Sequence, residues 1–280
     1  LDCQSALAEA EVEYEDKTSS AVDVAFEVVD KAKLAQKCLI SPEILEGDVK
    51  VYAVIWTTTP WTLPANQAVC VNPEYLYSVI RTDKGLLLTV SDRELREELL
   101  SRYGVEDGSW EQLGVSAAGV ELEGLLLQHP FYERRVPIIC GDHVTLEAGT
   151  GLVHTAPAHG LDDYFVGQKY ALPTDSPVAD DGKFVASLPL VGGLFVWKAN
   201  DVVVAALQES GHLLCLKKIQ HSYPHCWRHK TPIIFRSTPQ WFIGMDKSGR
   251  SLENDSLRYV QSLPVLESIH KHEGNITQTS

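Results

Sequence analysis

Three runs of this chain carry side chains whose types and spacing suit chemistry. The first is Thr57, Thr58 and Thr59, followed by Pro60, Trp61, Thr62, Leu63, Pro64, Ala65 and Asn66. Consecutive threonines at a strand end present hydroxyls on both faces, the prolines stiffen the turn that follows, and the Asn66 amide both donates and accepts. Such a cradle suits a polyhydroxylated ligand. The plain structural alternative is that β-branched threonines favour a strand and the prolines end it.

The second run extends from Gly149 through His154, Ala156, Pro157, His159 and Gly160 to Asp162, Asp163 and Tyr164. A strand carries His154 into a glycine- and proline-bounded loop, and a helix starts near the two aspartates. Read plainly, this is an aspartate cap beside a core histidine. Two histidines and two aspartates this close are also a candidate set for a hydrolytic metal, with His154, His159 and Asp162 or Asp163 as ligands. The glycines do not form the G-x-G-x-x-G pattern of a dinucleotide site.

The third run, residues 217–236, holds five Lys or Arg, three His and no acid, in a chain whose formal charge is −14. That leaves −19 on the remainder. Lys217, Lys218, His221, Arg228 and Lys230, interleaved with Tyr223 and Trp227, offer phosphate contacts and stacking surfaces on an acidic body. A solvated basic ribbon is the plain reading. Cys226 and His229 form a C-x-x-H pair, half of a zinc site.

The elements that must position these residues read as strand-rich. Val22, Val24, Phe26 and Val28 alternate with polar or small residues, the period of a half-buried strand. Residues 49–56 form a further strand, and 77–81 and 86–90 form a hairpin turning at Gly85. Short strands are expected at 136–140, 144–146 and 152–155. Ser91 and Glu94 have the spacing of a capping box for a helix that Gly104 stops. Helices are also expected over 162–170 and over 201–209, the latter capped by Asn200 and closed by Gly211. Residues 273–280 carry no burying pattern and are expected to fray.

Composition narrows the class. With 44% hydrophobic and 22% charged residues the chain matches an ordinary globular protein, and its acidity excludes a generally basic nucleic-acid binder. The longest apolar stretches fall far short of the roughly 20 residues of a membrane span. Six scattered cysteines without a C-x-x-C pair fit a reduced, cytoplasmic setting. The first residues, with no Met and with six acids before Lys17, read as a segment of a longer chain.

Taken together, the strings Ser5 to Tyr14, Thr57 to Asn66, Gly141-Asp142-His143-Val144, Gly149 to Tyr164 and His221 to Pro232 resemble the editing domain of a bacterial-type isoleucyl-tRNA synthetase. Thr57-Thr58-Thr59-Pro60, where valyl and leucyl relatives usually carry Thr-Thr-Arg-Pro, favours the isoleucyl branch. The resemblance implies an α+β fold, a mixed β-barrel with peripheral helices, inserted into a separate catalytic body. It divides the chain into an incoming segment (1–20), the editing domain (21–218), a basic return ribbon (219–248) and a divergent tail (249–280). The body's own signatures, His-x-Gly-His and Lys-Met-Ser-Lys-Ser, are absent from these residues, so no amino-acid activation is expected of them.

The implied function is hydrolysis of valine from mischarged tRNA(Ile) by a positioned water. In that pattern Asp163 holds the substrate ammonium and His154 walls the side-chain pocket. Thr57, Thr58, Thr59 and Asn66 hold the terminal adenosine, the ester and the water. Lys217, Lys218, His221, Tyr223, Arg228 and Lys230 would meet the tRNA. The implied reaction needs no cofactor, although Cys3, Cys226 and His229 would be three ligands of a structural zinc completed in a longer chain. The implied partners are valyl-tRNA(Ile) and the parent's catalytic body, with no membrane and a monomeric state. A metal hydrolase using His154, His159 and Asp163, or a catalytically silent tRNA-binding module, are the competing classes.

Overall fold

The computed structural model describes residues 6–106, 108–243 and 269–279. Thirteen strands are found among them. β1 (Ala6–Leu7) precedes the long β2 (Val12–Val28), helix α1 (Lys31–Lys37) and β3 (Val51–Thr57). A 3-10 run, Pro60–Ala65, joins β3 to β4 (Ala68–Val71), and β5 (Leu76–Thr82) and β6 (Gly85–Val90) form a hairpin. Then come α2 (Arg93–Arg102), β7 (Glu111–Ala118), α3 (Gly119–Leu122), β8 (Leu126–Gln128), β9 (Arg135–Cys140), β10 (Leu152–Thr155) and α4 (Leu161–Lys169). Helix α5 (Val196–Glu209), β11 (Leu213–Cys226), β12 (Ile234–Ile243) and β13 (Ile269–Thr279) complete the order.

The principal sheet is mixed, in the order β10-β4-β9-β8-β2-β3-β6-β5-β7, with β11 also paired to β2. Most neighbours are antiparallel; β3 with β6 and β4 with β9 are parallel. The expected mixed sheet with peripheral helices is present, but its ladder is not closed into a barrel: β10 and β7 are its two ends. At the β5–β6 turn Gly85 takes φ 111°, open to glycine without steric cost.

The alternation of Val22, Val24, Phe26 and Val28 faces one core with Val51, Ala53 and Ile55 of β3. The opposite face of β2 is also covered, since Ala21, Asp23 and Ala25 are buried. Burial there strands the Asp23 carboxylate against Arg102 at 3.1 Å, and burial outweighs that neighbour, pushing its pKa up to about 6.

Four local expectations shift. The cap of α2 is Asp92, whose carboxylate accepts the Leu95 N–H at 2.9 Å; Ser91 instead pairs with the Ser116 hydroxyl. Residues 144–146 form no strand. Helix α5 begins at Val196, which places Asn200 inside the helix and not at its cap. The tail expected to fray contains β13, paired with β12 and β1; residues 249–268 lie outside the described residues. The helix stops at Gly104 and Gly211, both in the left-handed region, are as expected.

β2 and β11 run antiparallel along nearly their full lengths, with Glu13 opposite His225, Glu15 opposite Tyr223 and Lys17 opposite His221. The acidic incoming segment thus lies directly against the basic return ribbon. Lys230 is ion-paired with Glu13, Lys218 donates to the Ser20 hydroxyl at 2.6 Å, and Gln220 donates to Asp16 at 3.3 Å. One of the ribbon's cations, Lys230, is thus answered by an acid of its partner strand.

Candidate active site

β3 delivers the threonines. Thr57 ends the strand, and its hydroxyl oxygen accepts the Thr59 N–H at 3.1 Å and lies 3.2 Å from the Thr59 hydroxyl. The chain then enters the 3-10 run, with Pro60 at its start and Pro64 within, and all six of its residues are buried. Its backbone groups need partners, and distant elements supply them. The Trp61 N–H donates to Asn200 Oδ1 of α5 at 3.0 Å, the Leu63 carbonyl lies 3.0 Å from His129 Nε2, and Arg134 donates to the Pro64 carbonyl at 3.1 Å.

His129 Nδ1 faces the N–H groups of Phe131 and Tyr132, so it is an acceptor and Nε2 carries the hydrogen toward Leu63. Burial drives this imidazole down to about 3. Neither His129 nor Asn200 was legible as a support of the loop: each acts on residues 66 and 139 positions away.

β10, antiparallel to β4, delivers His154 opposite Val69. The Thr62 hydroxyl donates to the Thr59 carbonyl at 2.8 Å, which uses its only hydrogen. His154 Nε2, 2.9 Å from the same hydroxyl, must therefore be the donor in that contact. Nδ1 then accepts from the Asn66 amide at 2.7 Å, and the other Asn66 hydrogen goes to the Ala68 carbonyl at 2.8 Å. Both ring nitrogens of His154 are spent inside the protein. Burial, with His159 and Arg134 nearby, lowers its pKa to about 3, so the ring is neutral.

A buried neutral histidine has a stability signature. With the folded pKa near 3 and the unfolded one near 6.5, the unfolded chain binds the proton first, so stability is full above about 6.5 and is lost as pH falls toward 3. His129 and His159 act in the same direction. Melting temperature should fall between pH 7 and pH 5, and less steeply in His154→Ala; equal slopes would reject the neutral, buried assignment.

Asp163 stands in the first turn of α4, where the helix N-terminus favours an anion. Its Oδ2 accepts the Ala156 N–H at 2.8 Å, and among the described residues no cation pairs with it. Burial raises its pKa to about 6 against the help of that N–H, leaving it ionised at neutral pH. Gly160 is required beside it, since a Cβ there would come within 2.9 Å of the carboxyl. His159 packs edge-on against Trp61, with ring centroids 4.9 Å apart.

Thr57, Thr59, Thr62, His154, His159, Gly160 and Asp163 together line a cavity of about 250 Å³. Thr58 and Thr59, with Trp61, Trp197, Asn200, Lys17 and Tyr223, line an adjoining one of about 470 Å³. There the Lys17 ammonium lies 3.8 Å from the Trp197 ring centre and 4.2 Å from that of Tyr223, and burial lowers its pKa to about 8. Lys17 was not singled out in the sequence, because its aromatic partner lies 180 positions away.

The expected residues thus divide. Thr57, Thr58, Thr59, His154 and Asp163 meet at the two cavities, while Asn66 lines neither and holds His154 from behind. Asp162 faces a separate hollow with Asp142 and His143. Tyr223 is buried under Lys17 and is no exposed stacking platform. Trp227 is exposed, with Arg228 over its ring.

Among the described residues no three His, Cys, Asp or Glu side chains are grouped to hold a metal ion, and His154 has no nitrogen to spare for one. The set His154, His159 and Asp163 therefore does not fit a catalytic metal. Cys226 Sγ and His229 Nδ1 lie 3.7 Å apart, which suits two donors of a tetrahedral zinc site; Cys3 lies outside the described residues.

The architecture coincides with that of a known class. Residues 97–189 match the family described as "Leucyl-tRNA synthetase, editing domain". The editing domain of P. knowlesi cytosolic leucyl-tRNA synthetase superposes with a TM-score of 0.54 at 12% identity, covering 71% of this chain and 96% of that one. The P. falciparum counterpart gives 0.51 at 11%, covering 72% and 99%. The chain belongs to the editing domains of aminoacyl-tRNA synthetases of the isoleucyl and leucyl type.

Within that class its sequence relatives are isoleucine–tRNA ligases. That of Nitrosomonas europaea is 58% identical over 270 residues, covering 93% of this chain and 28% of the ligase. That of Dechloromonas aromatica is 54% identical over 275 residues, covering 96% and 28%. The chain spans little more than a quarter of the length of these relatives. No helix among the described residues is long and apolar enough to cross a membrane.

Proposed function

We propose that this domain hydrolyses the ester of valine mischarged onto tRNA(Ile). The observation that carries the reading is the smaller cavity, where a buried carboxylate without a cation faces a neutral histidine whose polar atoms are already used. Asp163 supplies the missing counter-charge for an α-ammonium, and a charge-assisted contact of this kind is strong in a buried setting. The His154 ring closes the end where the amino-acid side chain sits. Isoleucine and valine differ by one methylene, worth only about 1–3 kcal/mol in a single binding step, a limit for which this pair of amino acids is the standard illustration. A second, smaller hydrolytic site removes what the first admits.

The chemistry asks little of the protein. An aminoacyl ester is already activated, and a water held by the Thr57 and Thr59 hydroxyls beside its carbonyl gains chiefly from orientation. No protein nucleophile or metal step is invoked. The larger cavity, joined through Thr59, offers hydroxyls, the aromatic side chains of Trp61, Phe195, Trp197 and Tyr223, and the Lys17 ammonium to the terminal nucleoside and its phosphate.

Purified protein should release valine from valyl-tRNA(Ile) far faster than isoleucine from isoleucyl-tRNA(Ile), with the rate unchanged by chelator. Binding without release would establish a silent tRNA module instead, and loss of activity on chelation would establish a metal hydrolase.

The tRNA body approaches along the ribbon. Because Glu13 pairs with Lys230 and the chain carries −14, binding should be weak and steeply salt-dependent. Replacing Arg228 and Lys230 with Ala should weaken tRNA binding and flatten its salt dependence; unchanged values for both would reject the ribbon as the contact. The parent's catalytic body and a cytoplasmic setting complete this reading.

A further inference from the structure

We propose that His159 is a second substrate-contacting residue, its Nε2 accepting a hydrogen bond from the α-ammonium of the aminoacyl ester beside the Asp163 carboxylate. The inference rests on the hydrolase reading above and adds a residue to it. His159 is only 8% exposed and lines the same cavity as Asp163. Its Nδ1 lies 2.9 Å from the Phe235 carbonyl, and a carbonyl only accepts, so Nδ1 carries the hydrogen. Nε2 is then left with a lone pair. That atom is buried and has no hydrogen-bond partner among the described residues.

A buried acceptor without a donor costs stability and calls for a reason. His154, five residues earlier, shows the contrast, since the fold itself satisfies both of its nitrogens. The donor missing at His159 is one a ligand would bring. Asp163 meets part of the demand of an ammonium, but one of its oxygens is already engaged by the Ala156 N–H. An ammonium carries three hydrogens and needs more than one acceptor. Gly160 lines the cavity with both residues, and a Cβ there would run into the Asp163 carboxyl, so the glycine leaves that carboxyl its place in the cavity. Burial holds His159 neutral down to about pH 4, so the lone pair is available wherever Asp163 is ionised.

The test compares wild type and His159→Asn on two esters of the same tRNA(Ile), one of valine and one of 3-methylbutanoic acid, which has a hydrogen in place of the ammonium and so no donor for Nε2. Asparagine keeps an N–H near the Phe235 carbonyl and removes only the outer nitrogen. The variant should lose about tenfold or more in kcat/KM on the valyl ester. On the ester without the amine it should stay within about twofold, which also certifies its fold. Equal losses on both esters would assign Nε2 to the attacking water or to scaffolding, and no loss on either would leave it without a role; each overturns the inference.

A wild-type measurement stands beside the variant. The ¹⁵N resonance of His159 Nε2 should move on adding 3′-(L-valyl)amino-3′-deoxyadenosine and not with the analogue lacking the amine; no difference between them also overturns it. Failure of wild type to hydrolyse valyl-tRNA(Ile) at all would instead bring down the hydrolase reading on which the inference stands.

Discussion

His154→Ala is expected to keep hydrolysing valyl-tRNA(Ile) and to gain hydrolysis of isoleucyl-tRNA(Ile). A rigid ring opposing one extra methylene imposes an overpacking cost of about 1–3 kcal/mol, so its removal should raise the rate on the isoleucyl ester roughly 5- to 150-fold. The reason to expect retained valine activity lies in the bonding. Both nitrogens of His154 are turned inward, to Thr62 and Asn66, so the ring offers the reacting atoms no proton donor or acceptor. The substitution has a structural cost, because Thr62 and Asn66 lose a buried partner, and a lower melting temperature, by about 1–3 kcal/mol of stability, should accompany the gain. Steady-state deacylation of both esters reads the outcome. Abolition of valyl ester hydrolysis in a folded variant would mean that His154 acts on the chemistry and not on the shape of the pocket.

Asp163→Asn should separate function from stability in opposite directions. The ionised carboxylate gives the ammonium a charge-assisted contact worth roughly 1.5–3 kcal/mol, so its loss should depress hydrolysis of any aminoacyl ester that enters by about 10- to 150-fold, without altering which amino acid is preferred. Stability should rise. The Asp163 pKa goes from 3.8 in the unfolded chain to about 6 in the fold, so the folded state holds the proton more tightly and the protein loses stability as pH rises from 3.8 through 6. Above that window the buried charge costs on the order of 3 kcal/mol, which the isosteric amide does not incur. Thermal melts at pH 7 should place the variant above wild type, and the gap should shrink toward pH 4. A variant less stable than wild type at pH 7, with activity intact, would make Asp163 a structural cap and remove it from the site.

His154 and Asp163 were readable from local sequence because they belong to one continuous strand–loop–helix segment, as were the threonines from Thr57 to Thr59. The period-two pattern from Val22 to Val28 likewise placed a core strand correctly, since alternate side chains must share a face. These are local properties, settled by the few residues on either side.

What pairs with what across long separations was decided only by the fold. Asn200 reads locally as a helix cap, because its side chain is a good acceptor next to a helical stretch; the same acceptor serves the Trp61 N–H, which the packing of α5 on the 3-10 run brings to it. His129 holds Leu63, and Lys17 lies over Trp197, through contacts that no periodicity announces. The charges of the basic ribbon are contiguous in sequence, yet antiparallel pairing lays residues 12–24 along residues 213–226 and ties Lys230 to Glu13 of the incoming strand. The sequence by itself singled out candidate side chains at the end of β3 and along the segment from β10 to α4, and the strand or helix each of these rides on. Tertiary structure determined which of their polar atoms the protein satisfies and which it leaves for a ligand, because a hydrogen bond depends on positions in space to within tenths of an ångström, and those are set by the packing of every element at once.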